Sequence, residues 1–265
     1  MGSASGKVIL KLVLAGCYLH FLAGCAANPQ SVQQLDAAKQ AVAGQQYDQA
    51  IRDADAVIAS GDSGGLAEAY YLRGYCIEVR PKSDPAASAR DSAMARDSYL
   101  RGLSQNPRPA VAARLRAQLG NVAYYQNDFS TALRELSDAY RSVGDPAAKP
   151  LILYHMGICE QRLGRFEDAD RTFQRVQQDY PGSEYAAHAR AHEGIRGFYV
   201  QLGAYSRQSD INEAAGAVAA VGSAPLKTTD GNLTVIRTAD VPSYEQAEQL
   251  KARLAGRYPD ARVMP

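Results

Sequence analysis

From about residue 35 to residue 195, apolar side chains return at the 3.6-residue period of an α-helix. At Phe198-Tyr199-Val200-Gln201-Leu202-Gly203-Ala204-Tyr205 the period drops to two, the alternation of a half-buried strand. An alanine-rich helix is predicted over Asp210–Val221, broken by Gly222 and Pro225. Two β-branched runs follow, Leu226–Thr229 and Leu233–Thr238, separated by the hairpin signal Asp230-Gly231-Asn232. Ser243 with Gln246 three residues on forms a capping box that starts a helix to about Arg257. Ala261–Met264 is a last short strand. The pattern therefore predicts an all-α helical-repeat array over 35–195. A small α+β domain of order βαββαβ, with an antiparallel sheet, follows over 196–265.

The array repeats. Gly120, Ala132, Leu136 and Ala139 recur 37 residues on as Gly157, Ala169, Phe173 and Val176. One period earlier stand Ala95, Tyr99 and Gly102, while Gly74 precedes Gly120 by 46 residues. That copy therefore carries about nine extra residues between Gly74 and Ala95, and Pro81–Pro85 is the expected loop. A fainter copy runs through Tyr47, Ala50, Ala54 and Val57. Each copy reads as two helices. The small residues permit close approach, and Tyr99, Leu136 or Phe173 fills the gap. Pro107 and Pro181 end second helices, since proline cannot continue one.

Residues Leu153 to Pro181 carry Met156-Gly157, Leu163-Gly164-Arg165-Phe166, Asp168-Ala169, Phe173 and Pro181. This resembles the tetratricopeptide repeat (TPR) family. Departures are Leu153 and Arg116 in place of the aromatic usual early in the first helix. The resemblance implies a right-handed solenoid that docks a protein or peptide on its concave face, the partner being unspecified. First helices line that face in the family, so Tyr70, Tyr71, Tyr75, Tyr124 and Tyr125 are candidate docking residues, with packing between repeats as the alternative use.

At the N-terminus Lys7 and Lys11 precede a mostly apolar Leu12–Leu22, the length of a signal h-region and too short to span a bilayer. It ends in Leu22-Ala23-Gly24-Cys25, which resembles a bacterial lipobox. The resemblance implies a signal peptide over 1–24, lipidation of Cys25 and a short tether over 25–34. A second box, Leu14-Ala15-Gly16-Cys17, has an h-region interrupted by Lys11, so Cys25 is the expected anchor. Ala26 follows the cysteine where an inner-membrane-retaining Asp would stand. By resemblance to diderm lipoproteins this implies the outer membrane, facing the periplasm.

The order βαββαβ and the opening Val200-Gln201-Leu202-Gly203-Ala204-Tyr205 resemble the SPOR (sporulation-related repeat) family, as do Glu245-Gln246-Ala247-Glu248, Leu250 and Leu254. One departure lies at the exit of the third strand, which reads Arg237-Thr238-Ala239-Asp240-Val241 where the family often has a basic-apolar run and Gly-Pro-Phe. The resemblance implies binding of peptidoglycan, especially denuded glycan strands. By strict alternation Phe198, Val200, Leu202 and Ala204 face the core, and Tyr199, Gln201, Gly203 and Tyr205 form an open platform. Gln201 and Tyr205 lead the candidate glycan contacts, followed by Tyr199, Ser206 and Arg237.

Composition narrows the classes further. The chain has 265 residues, 46% of them hydrophobic and 22% charged, with mean hydropathy −0.31. The formal charge of +1 becomes −1 once Lys7 and Lys11 are removed. The βαββαβ order also occurs in RNA-recognition modules. However, residues 198–265 carry seven basic and seven acidic side chains, without the positive patch that phosphate binding needs. Nucleic acid is therefore not an expected partner. The four cysteines, at 17, 25, 76 and 159, contain no C-x-x-C pair. His188 and His192 lie i, i+4 without the Glu of a zincin and read as a solvated face; His155 reads as packing. With no nucleophile–base pair, phosphate loop or metal cluster in the sequence, the expectation is a non-catalytic protein without cofactor.

Overall fold

The computed structural model describes residues 28–265. Cys17 and Cys25, and with them the signal and lipidation readings, lie outside the described residues. The first helix, α1 (Pro29–Ala43), begins earlier than the expected tether allows. Asn28 caps it by accepting from the Gln30 N–H, and buried Ser31 hydrogen-bonds Ser60 at 3.1 Å. Residues 29–34 thus belong to the array. There follow α2 (Tyr47–Ser60), α3 (Leu66–Val79), α4 (Pro85–Ser104), α5 (Pro109–Tyr125), α6 (Phe129–Ser142), α7 (Lys149–Arg162), α8 (Phe166–Asp179) and α9 (Glu184–His192). The chain forms two compact units, one up to Gln118 and one over Leu119–Pro265.

In the first unit α1, α2 and α3 close on Ala38, Ala54, Val57, Ala69 and Leu72, with Ala41, Ala50 and Cys76 beside them. The repeat glycines act as the spacing predicts. A Cβ at Gly74 would sit 2.5 Å from the Tyr99 ring, and one at Gly157, in the second unit, 2.5 Å from the Phe173 ring. Each aromatic lies flat in the notch that the missing Cβ leaves. The insertion between Gly74 and Ala95 is mostly helix. Two of its residues lengthen the loop, and seven lengthen α4 ahead of Ala95, where Asp84 caps the helix and Pro85 opens it.

In the second unit α7, α8 and α9 enclose Leu153, Ile158, Ala169, Phe173, Val176 and Ala189. The C-terminal part consists of β1 (Tyr199–Tyr205), α10 (Gln208–Ala220), β2 (Leu226–Asp230), β3 (Leu233–Arg237), α11 (Tyr244–Leu254) and β4 (Arg262–Met264). Its sheet is antiparallel with order β2-β3-β1-β4. Ser243 caps α11 by accepting from the Gln246 N–H, as the capping box predicts. Both helices cover one face, where Phe198, Val200, Leu202 and Ile236 meet Ile211, Ala214, Val218, Ala247 and Leu254. Buried Thr238 ties β1 to the end of β3, its hydroxyl accepting from the Val200 N–H at 2.9 Å.

Strict alternation fails inside β1. Gln201 pairs with Arg237, but Gly203 already pairs with Ile236, so β1 carries one extra residue at Leu202. Such a bulge reverses the faces of everything beyond it. Ala204, expected in the core, is exposed, and Tyr205, expected on the open face, packs against the core.

Candidate functional site

The open face of the sheet is built by register. Residues directly opposite on neighbouring strands share a face. Leu226 pairs with Arg237, Arg237 with Gln201, and Gln201 with Arg262, giving one row across all four strands. The adjacent row sets Tyr199 beside Met264. Tyr199, Gln201 and Arg237 are thus brought together. Arg262, which the sequence reading missed, flanks Gln201 from the other edge. The available signal was the alternation Arg262-Val263-Met264, but three residues are too few to assign a face without the register.

Tyr205 and Ser206 fall outside this group. The Tyr205 phenol lies on the helix side among Tyr258, Asp210 and Glu213, and burial raises its pKa. Ser206 follows the strand, exposed, ahead of α10. On the open face the Arg237 guanidinium sits 4.3 Å from the Tyr199 ring centroid and also pairs with Asp240. The altered strand exit therefore supplies a carboxylate that holds Arg237 over the ring. Arg262 is exposed, Gln201 half-exposed, and both can hydrogen-bond hydroxyl, amide or carboxylate groups. The ring face under Arg237 is not free to stack on a sugar.

Residues 195–265 match the SPOR domain family. Residues 152–183 match the tetratricopeptide repeat family. Both families are binding modules. Among solved structures, YrrB, a TPR protein described as having an unusual peptide-binding site, is 17% identical. The match covers 71% of this chain and 84% of that one, with a TM-score of 0.49. The MamA protein is 15% identical over 63% and 84%, with a TM-score of 0.47. No curated protein matches the chain.

The SPOR domain is seated on the last helical hairpins. Phe198 and Tyr244 of the domain pack edge-on at 5.7 Å between centroids, with Phe166 of α8 6.1 Å from Phe198 and Phe129 of α6 5.3 Å from Tyr244. The Arg162 guanidinium at the end of α7 lies 4.0 Å from the Tyr244 centroid and 5.2 Å from that of Phe198. Its Nη1 is buried without a hydrogen-bond partner, and burial lowers its pKa. The charge is held by ring faces, a cation–π arrangement. The connector is fixed too, since Asp170 accepts from the Gly194 N–H and pairs with Arg196.

Of the candidate docking tyrosines, Tyr70, Tyr71, Tyr75 and Tyr124 are half-buried and Tyr125 is exposed. In the first unit Tyr71 stacks on Tyr75 at 6.2 Å and lies under Arg114, while Tyr70 packs over Gly102. In the second unit Tyr124 stacks on His155 at 4.6 Å and meets Phe129 and Tyr125 edge-on. Tyr125 is 72% exposed, so most of its ring is open to a partner. The sequence reading missed Tyr154 and Tyr185, whose centroids lie 5.7 Å apart beside His188. His192 is half-buried rather than solvated, its Nδ1 3.1 Å from Gln161 and its ring 5.6 Å from Phe173. Among the described residues no group of three His, Cys, Asp or Glu side chains could hold a metal ion. No described helix is long and apolar enough to cross a membrane.

Proposed function

We propose that the chain is a non-catalytic cell-envelope lipoprotein. In this reading its SPOR domain binds peptidoglycan glycan strands, and its helical array docks a protein or peptide partner. The observation that carries the reading is the Arg237–Gln201–Arg262 row, with Tyr199 beside it, on the open face of a sheet that matches the SPOR family. Three hydrogen-bonding side chains one strand apart match the hydroxyl, N-acetyl and carboxylate groups that recur along a glycan. On the array the docking surface is centred on Tyr124, Tyr125, Tyr154 and Tyr185, with Tyr70 and Tyr71 serving packing in the first unit. Cys25 carries the lipid and places the protein at the outer membrane, facing the periplasm.

Sedimentation with amidase-treated sacculi tests the glycan reading. Gln201→Ala combined with Arg262→Ala is expected to lower the bound fraction several-fold while the fold survives, since exposed substitutions usually cost within about 0.5 kcal/mol. A folded double variant that sediments as wild type removes the open face as the binding surface. A second reading rests on Asp240, which occupies Arg237. In that reading the SPOR domain is a scaffold element that no longer binds glycan, and wild type itself does not sediment. Anchoring is tested separately. Cys25→Ala is expected to abolish lipid labelling and release the chain from membranes, whereas loss of labelling in Cys17→Ala alone would reassign the anchor.

A further inference from the structure

The insertion that lengthens α4 builds a cleft in the first unit, away from the residues assigned above. Its volume is about 940 Å³, within the size range of ligand-binding clefts. One wall is the turn between α1 and α2 with the first turns of α2. The other is the loop Arg80–Asp84 with the added turns of α4. The inserted wall is braced from beneath. Asp91, 6% exposed, is clasped by Arg80 at 2.7 and 3.0 Å and by Lys82 at 3.0 Å, and Lys82 also donates to the Ile77 carbonyl. Those contacts hold the Asp91 carboxyl at about 2, with Arg80 the leading cause. The loop is therefore a formed wall.

The cleft is lined by four cations, Arg52, Arg80, Lys82 and Arg90, against two carboxylates, Asp48 and Asp91. Asp91 and Asp48 engage Arg80 and Lys82. Arg52 bonds only the amide of Gln49, and neither Arg52 nor Arg90 is ion-paired among the described residues. Two exposed guanidiniums thus face one cleft with their charge uncompensated. Met94, 43% exposed, and Pro81 add an apolar wall. Methionine is a deformable apolar surface suited to side chains of varied shape.

We infer that this cleft is a second docking site, for an acidic peptide segment with interspersed apolar residues. Its carboxylates would reach Arg52 and Arg90, and its apolar side chains Met94 and Pro81. An anionic polysaccharide would satisfy the guanidiniums and leave the apolar wall uncovered, which is why a peptide is favoured. Guanidinium–carboxylate pairs are frequently bidentate, which gives register as well as attraction.

The test uses the full chain and a fluorescein-labelled peptide of alternating glutamate and leucine, with the glutamine–leucine peptide as uncharged control. Anisotropy is expected to report binding of the glutamate peptide alone, weakened at about 0.5 M salt by screening. Arg52→Glu with Arg90→Glu is expected to weaken binding by about tenfold or more, as like charges replace the pairs. If reversal disturbs the melting temperature, Arg52→Gln with Arg90→Gln serves in its place. Equal binding by a folded variant, equal binding of the uncharged peptide, or no binding by wild type overturns the proposal. So does a polygalacturonate that binds through Arg52 and Arg90 while the glutamate peptide does not. Sedimentation with sacculi by the same variant is expected to be unchanged, which separates this site from the open sheet face.

Discussion

His155 illustrates how one side chain can couple the array to pH. Its ring is stacked on Tyr124, its Nδ1 lies 3.2 Å from the Asn121 side-chain oxygen, and burial lowers its pKa to about 4. The unfolded chain takes up a proton near pH 6.5, whereas the folded chain resists it until about pH 4. Stability contributed by neutral His155 is therefore fully present above pH 6.5 and is lost as pH falls through that window. The limiting slope for one group is about 1.4 kcal/mol per pH unit. His192, also lowered by burial, acts in the same direction. His155→Phe keeps a ring on Tyr124 and is expected to flatten the decline in melting temperature between pH 6.5 and 4.5. An unchanged decline would assign it to His192 and other groups.

The helical hairpin owes its geometry to a glycine and an aromatic acting together. At Gly157 alanine would raise helix propensity by about 1 kcal/mol. Its Cβ, however, would lie 2.5 Å from the ring of Phe173, which is fully buried between α7 and α8. Overpacking of this kind typically costs about 1–3 kcal/mol. Gly157→Ala is therefore expected to be net destabilising, contrary to propensity, and Gly157→Ala with Phe173→Leu to recover part of the loss. A melting temperature raised by Gly157→Ala alone would show that the hairpin can spread at little cost. Ala169, 1% exposed on the facing helix, predicts the same sign for Ala169→Leu.

At the scale of the molecule, the second unit joins α6–α9 to the SPOR domain through Phe129, Arg162, Phe166, Phe198 and Tyr244. Tyr244 touches Phe129, Phe198 and Arg162, and its hydroxyl donates to Glu248 at 2.7 Å. Tyr244→Ala removes the ring that faces the buried Arg162 charge and is expected to cost about 2–3 kcal/mol. Cleavage in the Glu193–Gly197 connector should then become faster in limited proteolysis. Tyr244→Phe keeps the rings and loses one hydrogen bond, an expected cost of about 1 kcal/mol. Equal proteolysis of wild type and Tyr244→Ala would mean that the domain is held by the Asp170 contacts instead.

The sequence alone determined the two fold classes, the repeat glycines with the bulky partners that fill their notches, the insertion between Gly74 and Ala95, and the Ser243 cap. Each of these is set by residues close in the chain or by a repeated spacing, so local physics is enough to read it. The faces of β1 were legible only as far as Leu202. Beyond it the bulge reverses inside and outside. Gly203, an isolated strand glycine at φ +158°, is the one local sign of it. The alternation alone did not show it, because a bulge exists only relative to the partner strand. Arg262 joined Gln201 for the same reason, as register between β1 and β4 is a tertiary fact. The seat of the SPOR domain on Arg162 and the cleft between Arg52 and Arg90 are further cases. In each, residues with ordinary helical or turn spacing become neighbours through packing alone. What the chain states locally is element type; which charges and rings meet is decided when distant elements close.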